Sequence, residues 1–384
     1  MGARLLIRSG TLALASGPMR GDVLCAGGRI VAVGGTIEAG DARVVDAAGM
    51  TVGPGFIDVH VHGGGGHSFL TTDPARIEAY AGWAPRHGVC AFLASTAGNS
   101  VSETGAIVEA LAGCAGAAGG AEMLGIHLEG PFINPVRRGA FPAGALRDPS
   151  LTEWEMLLKA GRGAIRQVTL APELPGALGL IREVTRGGVI AALGHTDATA
   201  AECAAGFEAG IRHVTHLFNA MRPIHQREGG PVVAALLEGR ATCELICDGA
   251  HVAPEVLRLA YRSLGPERAV VVTDNLYLAG MDADSGRFGE DVVMVSGAKA
   301  ARADGTIVGS VAPMDTHFRN VVDFLGIDPV TAFRLCSANP ARIAGVADRK
   351  GQLAPGFDAD LVVLDGELRV KATICRGEVV FERG

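Results

Sequence analysis

Two histidines two residues apart close an apolar run, Pro54-Gly55-Phe56-Ile57-Asp58-Val59-His60-Val61-His62-Gly63, just before the sequence dissolves into glycine. Side chains at i and i+2 of a strand share a face, so His60 and His62 would present two imidazoles side by side where a strand meets its loop. Such a pair can grip a metal ion; it can also be two hydrogen-bonded core histidines. Recurrence separates the two readings. Ile126-His127-Leu128-Glu129 ends in a carboxylate, Ala191-Ala192-Leu193-Gly194-His195 and Val214-Thr215-His216 end in imidazoles, and Val270-Val271-Val272-Thr273-Asp274 ends in a carboxylate. With His60 and His62 this makes four histidines and two carboxylates at the ends of apolar runs, which packing alone does not explain. Mixed nitrogen and oxygen donors suit zinc, iron or another borderline divalent ion rather than calcium.

The elements that must position these residues follow from the pattern between them. Residues 54–346 alternate apolar, strand-like runs with alanine- and leucine-rich helical stretches, which is the signature of a parallel sheet. The runs end near His62, Ser95, Glu129, Glu173, His195, His216, His251 and Asp274. Eight such units predict an α/β fold, a closed (β/α)8 barrel of TIM type, with its reactive groups at the C-terminal ends of the strands. A doubly wound open sheet would gather its polar residues at one switch point instead. The two ends of the chain have a different texture: a hairpin around Gly27-Gly28, and three strands near 360–365, 370–375 and 378–381. They predict a small β-sandwich domain built from both termini, residues 1–53 and 347–384.

The chain has 384 residues, 48% of them hydrophobic and 20% charged, with a mean hydropathy of +0.28. A net charge of −7 with scattered Lys and Arg leaves no basic face for nucleic acid or an anionic membrane. The opening Met1-Gly2-Ala3-Arg4-Leu5-Leu6 carries no secretory signature, and a cytoplasmic location is expected. The eight cysteines are too dispersed for a disulfide framework, and Cys243 and Cys247 read as buried strand thiols. No Gly-x-Ser-x-Gly elbow and no P-loop occur.

The whole arrangement resembles the amidohydrolase superfamily and, within it, the N-acetylglucosamine-6-phosphate deacetylases. The resemblance rests on residues 54–63, His127-Leu128-Glu129-Gly130-Pro131, Gly194-His195-Thr196-Asp197-Ala198, Thr215-His216-Leu217-Phe218-Asn219-Ala220-Met221, Asp248-Gly249-Ala250-His251, Thr273-Asp274 and the closing Gly356-Phe357-Asp358-Ala359-Asp360. It implies metal-dependent hydrolysis of the N-acetyl group of N-acetylglucosamine 6-phosphate. Glu129, His195 and His216 would hold one zinc or iron ion. His60 and His62 leave room for a second, with Glu129 as the bridge, and Asp274 stands nearby as ligand and proton shuttle. The resemblance further implies substrate contacts at Ala140, Asn219, Ala220, His251 and Val308, and an Arg227 that binds the phosphate of a neighbouring subunit's substrate in a homodimer. His67, His87, His213, His225 and His317 lie off this pattern and read as ordinary polar residues; His127 reads as a barrel-core residue or a support for Glu129.

Two departures from the family pattern touch the acyl and sugar pocket. Phe141 stands where the family carries a histidine, and Asn275-Leu276-Tyr277 stands where it carries small residues. Hydrolysis of another N-acylated amino sugar, such as N-acetylgalactosamine 6-phosphate, or of a cyclic amide is therefore an alternative. A catalytically dead barrel kept as a scaffold would have shed metal ligands, and all six are present.

Overall fold

A computed structural model describes residues 4–117 and 119–384. Residues 1–3 of the expected small domain, which also open the segment read for a leader, lie outside the described residues. Eight parallel strands form the central sheet: β1 (Phe56–Val61), β2 (Val89–Ala97), β3 (Glu122–Glu129), β4 (Ile165–Leu170), β5 (Ile190–Leu193), β6 (His213–Val214), β7 (Thr242–Ile246) and β8 (Ala269–Val272). They pair in chain order. The ring closes just beyond β8, where Asp274 N–H donates to the His60 carbonyl at 2.9 Å and His62 N–H to the Asn275 carbonyl at 2.8 Å. The barrel is the one expected. Its strands are nearly unbroken apolar runs because both faces are buried, one by the helices and one by the barrel interior. Several of the surrounding helices start where short polar side chains cap them, Asp73, Ser100, Ser150 and Thr199, with reciprocal capping boxes at Ser100/Glu103 and Thr199/Glu202.

Strands from both chain ends form a separate eight-stranded sheet around its own apolar cluster, which includes Leu5, Ile7, Val52, Leu361 and Ile374. The long strand Arg4–Leu14 is its fork. Residues 5–8 pair with Arg43–Asp46, and Thr11 and Leu12 pair with Thr51–Pro54. Between the two partners lies a register shift with Ser9 at φ 63°, a bulge that lets one strand serve two neighbours. The hairpin turns at Gly27-Gly28, both at positive φ, as the sequence leads one to expect. At the seam with the barrel the fully buried Lys350 ammonium faces Glu122 of β3 at 2.8 Å, Asp358 at 3.0 Å and Asp360. An ammonium out of water is tolerated because carboxylates surround it.

One feature was not anticipated. Between β8 and the helix Met314–Leu325 the chain makes a four-stranded antiparallel insert of Ser285–Phe288, Asp291–Ser296, Lys299–Ala301 and Ile307–Ser310, and part of it overhangs the C-terminal mouth of the barrel.

Candidate metal centre and active site

The six ligand-type residues converge at that mouth. His60 lies near the end of β1 and His62 just past it, Glu129 ends β3, and His195, His216 and Asp274 each lie two residues beyond their strands. The last three adopt left-handed backbone conformations, at φ 47°, 26° and 52°. Such conformations cost energy for residues with a side chain and persist where the surroundings impose them, which happens most often at functional sites.

Oε1 of Glu129 lies 3.0 Å from Nε2 of His195 and 2.9 Å from Nε2 of His216, and the two nitrogens are 3.1 Å apart. Its other oxygen, Oε2, lies 3.2 Å from Nε2 of His62. Asp274 Oδ1 stands 3.3 Å from His62 Nε2 and 3.4 Å from His60 Nε2. These atoms form two clusters, Glu129/His195/His216 and His60/His62/Asp274, each within 4.8 Å internally, and Glu129 faces both.

The donor set fits a cation. His195 donates from Nδ1 to the Arg137 carbonyl at 2.9 Å, which leaves Nε2 as a lone pair aimed at Glu129 and at the equally placed Nε2 of His216. Nε2 of His60 is buried and has no hydrogen-bond partner. Electrostatics point the same way. Burial opposes a charge on His62, but hydrogen bonds to Asp274 and Glu129 outweigh it and raise its pKa to about 9. His60 is likewise raised, because Glu244, Glu129 and Asp274 outweigh its burial. The carboxylates thus demand positive charge, and a divalent ion among neutral imidazoles answers that demand.

Beneath the ligands lies a layer the sequence reading missed. Glu244, fully buried on β7, accepts from His60 Nδ1 at 2.8 Å, His213 Nε2 at 2.9 Å, Gln167 Nε2 at 3.2 Å and the His216 backbone N–H at 2.9 Å. His213, taken as an ordinary polar residue, is a fully buried part of this network. Asp58 accepts from the Thr273 hydroxyl at 2.6 Å and from the His60 and Thr273 N–H groups at 3.3 Å, tying β1 to β8. The signal was available: a lone charged residue inside an apolar strand must find partners within the core. His127 is a core residue, bonded to Ser95 Oγ at 3.0 Å and Thr169 Oγ1 at 2.8 Å.

A cavity of about 290 Å³ opens over the two clusters, and Ala140, Asn219, Ala220, His251 and Val308 line it, as do Phe141 and Phe288. Nδ1 of His251 is held 2.6 Å from Asp248 Oδ2, and the Ala140 carbonyl accepts from Arg302 at 2.6 Å. Phe141 sets its ring edge against His195, centroids 5.1 Å apart. Arg227 is the exception among the expected contacts. It is exposed, does not line the cavity of its own chain, and its guanidinium makes no hydrogen bond or ion pair among the described residues. Cys90, Asp360 and Cys375 form another cluster of ligand-type atoms, but burial pushes the Cys90 thiol up and Lys350 already faces Asp360.

Residues 51–380 match the model of the amidohydrolase family. The chain is 36% identical to the N-acetylglucosamine-6-phosphate deacetylase of Bacillus subtilis (strain 168) over 85% of its own length and 84% of that protein's. It is also 36% identical to the N-acetylgalactosamine-6-phosphate deacetylase of Escherichia coli O157:H7, over 85% and 86%. A solved structure of a mutant N-acetyl-D-glucosamine-6-phosphate deacetylase from Mycobacterium smegmatis, in complex with N-acetyl-D-glucosamine-6-phosphate, superposes with a TM-score of 0.92 at 37% identity, covering 99% of this chain and all of that one.

Proposed function

Because the chain belongs to the amidohydrolase family, we propose that it hydrolyses the N-acetyl group of N-acetylglucosamine 6-phosphate to glucosamine 6-phosphate and acetate. The observation that carries this reading is the meeting of both ligand clusters on Glu129 beneath a cavity lined by the residues expected to contact the sugar. In it Glu129, His195 and His216 would hold one ion, zinc or iron, and His60, His62 and Asp274, beside Glu129, would hold a second. Metal ions so placed polarise a carbonyl oxygen and make water acidic enough to supply a nucleophile near neutral pH.

The protein's own groups do the rest. Asp274, buried within reach of both clusters, accepts a proton from the attacking water and delivers it to the amide nitrogen as the C–N bond breaks. The water oxygen ends in acetate and the nitrogen leaves as an amine. His251, its ring fixed by Asp248, and Asn219 orient the sugar, which keeps the carbonyl over the ligands. Arg227 reads the phosphate of a substrate in a neighbouring subunit of a homodimer, and its free, exposed guanidinium supports this.

The chain divides into a small β domain, 1–53 and 347–384, and a barrel, 54–346, a split supported by the apolar cluster the small sheet keeps to itself, while Val362, Leu364 and Val370 pack into the barrel's cluster and join the two. A cytoplasmic location agrees with an intracellular metabolic role, and among the described residues no helix is long and apolar enough to cross a membrane. N-acetylgalactosamine 6-phosphate is the second candidate substrate, favoured by the equal identity to a relative named for it.

The test is acetate release by metal-defined protein from both phosphorylated sugars and their unphosphorylated counterparts. Asp274→Asn should remain folded and lose roughly two or more orders of magnitude in turnover; near-normal turnover would remove Asp274 from the proton path.

A further inference from the structure

Phe288, half-buried on the first strand of the insert, lines the active-site cavity on one side and a second cavity of about 350 Å³ on the other; His62 is the other residue the two share. Leu70, Leu276 and Tyr277 wall the second cavity next to Phe288, and Ser68, Asn99, Arg76 and Arg287 line the rest of it. Between the two lies an apolar cluster of Ala97, Ile133 and Phe141, with Leu70 and Phe288 packed on it.

The position of this cluster around the ring gives it a direction. Asn219, Ala220 and His251 follow β6 and β7, whereas Ala97 ends β2 and Phe141 follows β3. In an eight-stranded ring those pairs of strands face each other across the axis. An amide whose carbonyl sits over the central ligands, with its sugar over β6 and β7, sends its acyl chain toward Ala97, Phe141 and Phe288. In a pocket closed around an acetyl group, each added methylene changes kcat/KM by about 10–200-fold. Here the added carbons meet an apolar wall and a half-buried ring with open volume behind it.

We propose that the space beside and behind Phe288 is an acyl channel, and that this protein hydrolyses unbranched N-propionyl and N-butyryl amino-sugar phosphates as well as the N-acetyl form, with Phe288 setting the chain-length limit. The proposal rests on the deacetylase reading and widens its substrate class. The bond changes are those of deacetylation: water oxygen joins the acyl carbon, the C–N bond breaks, and one proton of the water passes to the amine, releasing propionate or butyrate.

The experiment compares kcat/KM for amine release from N-acetyl-, N-propionyl- and N-butyrylglucosamine 6-phosphate by the metal-loaded full chain. The expected result is that both longer acyl groups stay within about tenfold of acetyl; a larger deficit for butyryl overturns the channel. Phe288→Trp, which fills the passage, should lower the butyryl-to-acetyl ratio by about tenfold or more, and an unchanged ratio removes Phe288 as the limit. Leu70→Trp narrows the same cavity from a different element and should shift the ratio the same way, should the first variant not fold. Hydrolysis of none of the three substrates would sink the deacetylase reading itself, whereas good acetyl turnover with poor butyryl turnover sinks the channel alone.

Discussion

Glu244 holds the ring of His60 from below, Oε2 to Nδ1 at 2.8 Å, in a part of the barrel where neither side chain has any solvent exposure. With its Nδ1 proton committed to Glu244, the neutral His60 ring turns the lone pair of Nε2 toward Glu129 and Asp274. The same carboxylate takes the backbone N–H of His216, so one residue sets the spacing between ligands on β1 and after β6. A metal-binding imidazole oriented through its far nitrogen is a recurring device, and removing such a partner costs about 10–100-fold in metal affinity or activity.

Glu244→Gln should therefore lower affinity for the ion at His60 and His62 by about 10–100-fold while affecting the Glu129/His195/His216 ion less. Metal titration followed by elemental analysis reads both. Equal loss at both clusters would mean that Glu244 supports the barrel as a whole.

Occupancy itself separates the clusters. His195→Ala should strip the protein of the ion at Glu129, and His62→Ala should leave one ion per chain where the wild type holds two. Wild-type protein saturated with zinc or iron and never exceeding one ion would remove the second site.

Arg227→Ala should cost about 1.5–3 kcal/mol, roughly ten- to a hundredfold, on a phosphorylated substrate and almost nothing on its unphosphorylated counterpart. Its guanidinium has no partner within the chain among the described residues, so the melting temperature should not move. A fall in melting temperature with equal loss on both substrates would assign Arg227 to the fold or to assembly.

His317 gives a pH dependence that can be read apart from the metal centre. It is fully buried, accepts the Cys247 backbone N–H at 3.1 Å, and burial pushes its pKa down to about 4 from 6.5, against the opposing pull of Asp248. The unfolded chain therefore binds this proton at a pH where the folded protein refuses it. Its contribution is complete above about pH 6.5 and is lost progressively toward pH 4, on the order of 3 kcal/mol in all. Urea unfolding of wild type and His317→Gln, in the same metal state, should show a shallower acid-side loss in the variant; parallel curves would count against it.

That these six side chains meet at the rim was legible because each ends an apolar run, and a charged or imidazole group at such a place has few structural reasons to be there. Eight strands were legible for the same reason, although His251 lies five residues beyond β7 on a loop turned by Asp248. For Glu244 only the charge inside an apolar run was legible; its partners were not, since His60 and His213 lie 184 and 31 positions away. Nor was the insert, whose short strands between residues 285 and 310 interrupt the β/α alternation after the eighth unit. Phe141 stood out only against the family pattern, and the structure adds that its ring packs against His195, one of the proposed metal ligands.

The small sheet has an implication for synthesis. Thr51–Pro54 pairs on one edge with the early strand Arg4–Leu14 and on the other with Leu361–Leu364, which leaves the ribosome roughly 300 residues later. At about 5–20 residues per second, a nascent chain carries that unpaired edge for some 15–60 seconds, and an unpaired edge is a template for association with another chain. The barrel can assemble before its neighbour is complete. The vulnerable interval in making this protein thus belongs to the strand Thr51–Pro54 and the sheet it borders, which wait longest for a partner.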